Sequence, residues 1–220
     1  MLPTVSDSDS RREEPGEGVI RFRWRLDAGP PVPTPILHAM QALHAAARAR
    51  GLTGRDAQRY EGLAFGNLSV RDPEEGFWIS ASQRIDRPRL DAEDLVHVVR
   101  SAEDGTLMCT GTRPPSSESL CHDAVYRACR DARVVIHGHH PRLWRAAGTL
   151  GLAQTAGDAR NGTRLLAQEV VAIVGDAGSC GLLAMAGHED GILAWADHDD
   201  GALALVDRAL DRLADTEPEP

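Results

Sequence analysis

PPSSESLCHDAVYRACRDARVVIHGHHPRLW, residues 114–144, is the stretch around which the chain is organised. Ser116, Ser117 and Glu118 precede Leu120, Ala124, Val125 and Ala128, whose spacing predicts a helix to about residue 131 capped by Ser116 or Ser117. Val134-Val135-Ile136 reads as a buried strand running into His137-Gly138-His139-His140 and stopped by Pro141. Side chains at i and i+2 of a strand share a side, so His137 and His139 can aim at one point, with Gly138 leaving the space between them clear. His140 then faces the other way. A catalytic divalent ion needs three protein ligands and an open position. The best third ligand is His188, at a strand end between Gly187 and Gly191. Glu118 adds a carboxylate for proton transfer. His38, His44, His122 and His198 read as surface or core residues.

Working outward, alternation of Ile20, Phe22, Trp24 and Leu26 predicts an extended segment with one packed face. Pro35 at a first helical position and Gly51 as a stop bound a helix over 34–50, with Thr34 as its cap and Ile36, Leu37, Met40, Leu43, His44 and Ala47 as its stripe. Residues 65–71 and 76–83 form one predicted hairpin, and 95–99 and 106–110 a second that turns at Asp104-Gly105. A short helix over 142–150, a loop over 156–162 and a helix over 163–174 ending at Gly175 follow. Strands over 182–186 and 192–195 and a helix over 199–214 complete the order. Strands and helices intermix without βαβ repetition, which favours an α/β three-layer arrangement with a largely antiparallel sheet over a Rossmann fold.

The 220 residues suffice for one domain, assigned to 18–214, with a polar, aperiodic arm over 1–17 and a tail over 215–220 read as disordered. A net charge of −9 without any basic stripe argues against nucleic acid and anionic membranes as partners. No apolar run has the length of a membrane span or follows the pattern of a secretory leader, so the expected location is cytoplasmic. Cys109, Cys121, Cys129 and Cys180 lack CxxC spacing and read as reduced thiols.

The chain resembles the class II aldolase/adducin family, which includes fuculose-phosphate and rhamnulose-phosphate aldolases and ribulose-phosphate 4-epimerases. The resemblance rests on Gly66-Asn67-Leu68-Ser69-Val70-Arg71, Ile79-Ser80-Ala81-Ser82, Pro115-Ser116-Ser117-Glu118, His137-Gly138-His139 and Gly187-His188, in that order over 34–213. It implies a three-layer α/β/α fold and a homotetramer with active sites at subunit interfaces. It also implies a divalent metal, Zn2+ or else Mn2+, Co2+ or Fe2+, on His137, His139 and His188. Glu118 matches the family's catalytic acid/base, and Gly66, Asn67, Ser82, Ser116 and Ser117 match positions that hold a substrate phosphate. The implied function is a metal-dependent lyase that cleaves a sugar phosphate or sugar-acid-like hydroxy-ketone through an enediolate. An epimerase, dehydratase or decarboxylase on the same centre is the alternative, and a non-catalytic adducin-like assembly module is a third reading.

Three departures stand out. Gln83 follows Ser82 where sugar-phosphate members carry glycine, which would narrow the pocket or favour an unphosphorylated substrate. The only tyrosines are Tyr60 and Tyr126, so the downstream tyrosine that family aldolases use as a proton donor is missing or replaced. Asp158 and Arg160 occupy a loop where substrate contacts vary.

Overall fold

The computed structural model describes residues 18–216, so the expected arm over 1–17 and the end of the tail lie outside the described residues. In chain order its elements are β1 (Trp24–Asp27), α1 (Thr34–Ala49), β2 (Gly54–Arg55), β3 (Ala64–Phe65), β4 (Asn67–Arg71), β5 (Phe77–Ser80), β6 (Leu95–Ser101) and β7 (Leu107–Thr110). Then come α2 (Ser119–Ala128), β8 (Val134–His139), α3 (Pro141–Arg145), β9 (Ala153–Gln154), α4 (Arg164–Ala177), β10 (Gly181–Ala184), β11 (Gly191–Ala196) and α5 (Gly201–Thr216). Nine strands form one sheet in the order β1-β7-β6-β5-β4-β8-β11-β10-β9. Its interior pairs are antiparallel, while both edge pairs, β1 with β7 and β9 with β10, are parallel. The pair β2 and β3 stands apart as a small antiparallel ribbon.

Strand alternation separates two cores. Leu68, Val70, Val134, Ile136, Ile192 and Ala194 face one layer, where they meet Met40 and Leu43 of α1, Leu143 of α3 and Val206 of α5. Ile79, Val135, Leu193 and Trp195 face the other, against Cys121 and Val125 of α2 and Leu166 and Val170 of α4. Both faces of β8 are therefore buried, as its unbroken apolar run Val134–Ile136 requires. The arrangement is α/β/α with a central, largely antiparallel sheet, as expected. Among the described residues no helix is long and apolar enough to cross a membrane.

The extended segment contracts to β1, but Phe22, Trp24 and Leu26 do pack on the core from one face. Thr34 is the first residue of α1, with Pro33 rather than Thr34 in the capping position. The helix expected over 142–150 stops at Arg145 and continues as turns. Gly175 does not end α4: the helix runs to Ala177, and Gly178, at φ +84°, ends it. Helix α5 passes the expected end and takes in residues 215 and 216. All four cysteines are free, with only Cys180 exposed. Burial, with Asp123 nearby, pushes the Cys109 thiol up to about 12, which keeps it protonated.

Candidate active site

Helix α2 does not begin as the paired serines predict. It starts at Ser119, and neither Ser116 nor Ser117 caps it with a side chain. The carbonyl of Ser116 instead accepts both the Ser119 N–H (3.1 Å) and the Ser119 hydroxyl (2.8 Å). Ser117 donates its hydroxyl to Glu118 Oε2 at 2.6 Å, and Asn67 Nδ2 donates to the same oxygen at 3.0 Å. Glu118 is fully buried. Its second oxygen, Oε1, has no hydrogen-bond partner among the described residues. A buried carboxylate oxygen left without a donor is costly unless it serves a ligand.

Strand β8 supplies the neighbouring chemistry. Asn67 pairs with His137 and Ser69 with Val135 across the β4–β8 ladder, which places Asn67, Ser69, His137 and His139 on the α2 side of the sheet. His137 is oriented through Nδ1, 3.1 Å from the Ile192 carbonyl, so that nitrogen is the donor and Nε2 carries the lone pair a metal could take. His188, in the turn before β11, completes a buried trio in which one ligand atom of each imidazole lies within 4.8 Å of the others. Burial first, and the neighbouring histidines second, hold His139 well below the usual imidazole range; burial also lowers His188, against the pull of Glu118 and Asp190. Three imidazoles at this spacing are the donor set a divalent cation such as Zn2+ takes.

Gly138 acts differently from its expected role. Its missing side chain faces away from the histidines, where a Cβ would meet Leu52 Cβ at 3.0 Å and the Leu52 carbonyl at 3.1 Å. That close approach lets the Leu52 carbonyl accept the His139 N–H at 2.9 Å and fix the strand end. His140 caps α3, its Nδ1 accepting the Leu143 N–H at 3.3 Å, and stays out of the trio. His44 is a core residue bonded to the Ile85 carbonyl, and His38 is exposed. Buried His122 bonds Ser69, whose hydroxyl also meets the Tyr126 hydroxyl.

Gly66, Asn67, Ser82, Ser116 and Ser117 line one pocket with Glu118. Gly66 has φ +79°, and a Cβ there would lie 2.8 Å from Thr53 Cγ2 and 2.9 Å from the Leu52 carbonyl, so only glycine fits. Gly18, Ala64, Ala81, Gln83 and Ile85 complete the wall. Gln83 takes a left-handed φ of +56°, a conformation that favours glycine, and its amide holds it there by pairing with both the N–H (2.9 Å) and carbonyl (3.1 Å) of Ala64. Asp158 and Arg160 are exposed.

Residues 55–215 match the class II aldolase and adducin N-terminal domain. The chain belongs to that family. Over 74 residues it is 39% identical to a methylthioribulose-1-phosphate dehydratase from Klebsiella pneumoniae. That match covers 34% of this chain and spans only 34% of the relative's own length. In fold the family member resembles L-fuculose-1-phosphate aldolase from Thermus thermophilus, with TM-score 0.55 and 19% identity over 86% of this chain and all of that one. A sugar-phosphate aldolase from Thermotoga maritima aligns with TM-score 0.58 and 15% identity over 84% of this chain and 97% of that one.

Two features of the site have no sequence signal of their own. One is the pair of donors on Glu118 Oε2, which needs the β4–α2 contact to exist. The other is a cluster in which Arg59 and the Tyr60 hydroxyl (2.9 Å) both donate to Asp190 Oδ2, while the Tyr60 ring stands edge-on to His139 at 4.5 Å.

Proposed function

We propose that this chain is a divalent-cation-dependent lyase that removes water from a phosphorylated hydroxy-ketone, with Glu118 as its acid/base. The observation that carries the reading is the position of Glu118: it lines the pocket of Gly66, Ser82 and Ser116 and couples electrostatically to His188 of the trio. His137, His139 and His188 would hold the cation. A bound divalent ion supplies Lewis acidity toward the ketone and an adjacent hydroxyl. The hydroxyls of Ser82 and Ser116 and the backbone at Gly66 take the phosphate in this reading, whereas Ser117 spends its hydroxyl, and Asn67 one of its two amide N–H donors, on Glu118. Those two bonds fix Oε2 and turn Oε1 toward the substrate, as a base that needs no reorganisation. Glu118 removes the proton from the carbon next to the ketone and returns it to the hydroxyl leaving from the following carbon, so water departs and a carbon–carbon double bond forms.

The similarity to a methylthioribulose-1-phosphate dehydratase supports elimination over aldol cleavage. So does the placement of the tyrosines. Tyr126 is buried against Ser69, and the Tyr60 hydroxyl donates to Asp190, so both are committed to protein groups. The test is incubation of the zinc-loaded protein with phosphorylated and unphosphorylated hydroxy-ketones in D2O, followed by NMR. Solvent deuterium uptake and water loss from a phosphorylated substrate are expected. Aldehyde products would replace elimination with aldol cleavage, and inertness toward every such substrate would remove the enzyme reading.

A further inference from the structure

The buried carboxylate of Asp190 is used by nothing in the reaction above. It sits two residues beyond His188 in the turn between β10 and β11, at φ +63° and 5% exposed. The turn closes through the His188 N–H on the Met185 carbonyl (2.9 Å) and the Gly191 N–H on the His188 carbonyl (2.9 Å). Asp190 joins this turn to the end of β8, because its own carbonyl accepts the His140 N–H at 2.8 Å. Its side chain reaches a third element, the segment between β2 and β3, through Arg59 and Tyr60.

That segment is strained. Tyr60 and Glu61 take left-handed φ values of +51° and +57°, which non-glycine residues adopt rarely and which persist where surrounding contacts over-determine them. The contacts here are specific: the Tyr60 ring packs on Phe65 at 5.0 Å and on His139 at 4.5 Å, and the Arg59 guanidinium lies 4.8 Å over the same ring. One aromatic residue thus packs perpendicular to a β8 imidazole and holds the His188 turn with its hydroxyl.

We propose that Arg59, Tyr60 and Asp190 form a latch that fixes the position of His188 against His137 and His139 and thereby sets the cation affinity of the trio. The latch residues are positioning residues, and the inference rests on the trio being a metal centre. Groups that orient histidine ligands without touching the metal typically change affinity by about 10- to 100-fold when altered.

The full-length chain is titrated with Zn2+ alone against a competing chelator, as wild type, Tyr60→Phe, Asp190→Asn and the double variant. Phenylalanine keeps the ring on His139, and asparagine tolerates the left-handed φ at 190. Wild type is expected to bind one ion per chain. Each single variant binds one ion about 10- to 100-fold more weakly, with the Co2+ absorption spectrum shifted. The double variant loses less than the product of the two single losses, because both act on one contact. Should Asp190→Asn not fold, Tyr60→Phe alone decides. Wild-type affinity in the folded variants overturns the latch and leaves the metal centre standing. A wild-type chain that binds no ion overturns the metal centre and the latch with it.

Discussion

Replacing Glu118 with glutamine separates chemistry from architecture at the proposed site. Glu118 uses its two oxygens for different ends: Oε2 accepts from Ser117 Oγ (2.6 Å) and Asn67 Nδ2 (3.0 Å), whereas Oε1 has no partner among the described residues. A glutamine can seat its carbonyl oxygen where Oε2 was, keeping both donors satisfied, and place its NH2 where Oε1 was. The fold and the histidine trio then stay in place while the base is lost. A positioned general acid–base contributes about 10²- to 10⁴-fold, or about 3–5 kcal/mol of barrier. Deuterium uptake by a phosphorylated hydroxy-ketone in D2O, followed by NMR with zinc-loaded protein, should therefore slow by at least about 100-fold in Glu118→Gln while bound zinc stays at one per chain. Exchange within about tenfold of wild type would refute the assignment of Glu118 as the base. Lost zinc with lost exchange would show instead that the carboxylate is a ligand.

Gly66→Ala should destabilise the chain by about 1–2 kcal/mol for the left-handed φ, with about 1–3 kcal/mol more from overlap with Thr53 and the Leu52 carbonyl. A urea midpoint equal to wild type would contradict the tight backbone approach there. The metal-free chain should also lose stability in acid. Burial pushes His44, His122, His139, His140 and His188 down, so below about pH 6.5 the unfolded chain takes protons that the folded chain refuses. The stability is present above that pH and falls as pH drops, with a slope of up to about 1.4 kcal/mol per pH unit for each such histidine. Exposed His198, raised by its bond to Asp197, works in the opposite sense. Denaturant midpoints that stay level from about pH 7.5 to 5.5 would remove the burial argument.

What is legible in the sequence follows from how locally each feature is encoded. The His137/His139 pairing is a property of any strand, and the apolar run of β8 identifies the strand. The three layers follow from alternation, since Leu68 and Ile136 take one face and Asn67 and His137 the other. Helix ends are less legible. Ser116 and Ser117 have the composition of caps, yet the tertiary demand of Glu118 takes the Ser117 hydroxyl, and the helix starts only at Ser119. Gly175 looks like a stop, but α4 accommodates it because nothing there needs a left-handed residue. Gly138 matters for a different reason from the one its neighbours suggest. The other face of its strand meets Leu52, which lies far upstream and belongs to no local pattern.

Gln83 shows how a departure from a family pattern is absorbed by structure. The position demands a left-handed φ, which glycine takes at no cost and glutamine does not. The amide offsets that cost by closing two hydrogen bonds on the Ala64 backbone, and so ties the loop after β5 to the strand that leads into Gly66 and Asn67. The pocket wall is then cross-braced by a side chain. One N–H and the carbonyl oxygen of the Gln83 amide are spent on Ala64, which fixes the direction of its second N–H. The substitution therefore stiffens the wall of the pocket that Gly66, Ser82 and Ser116 line.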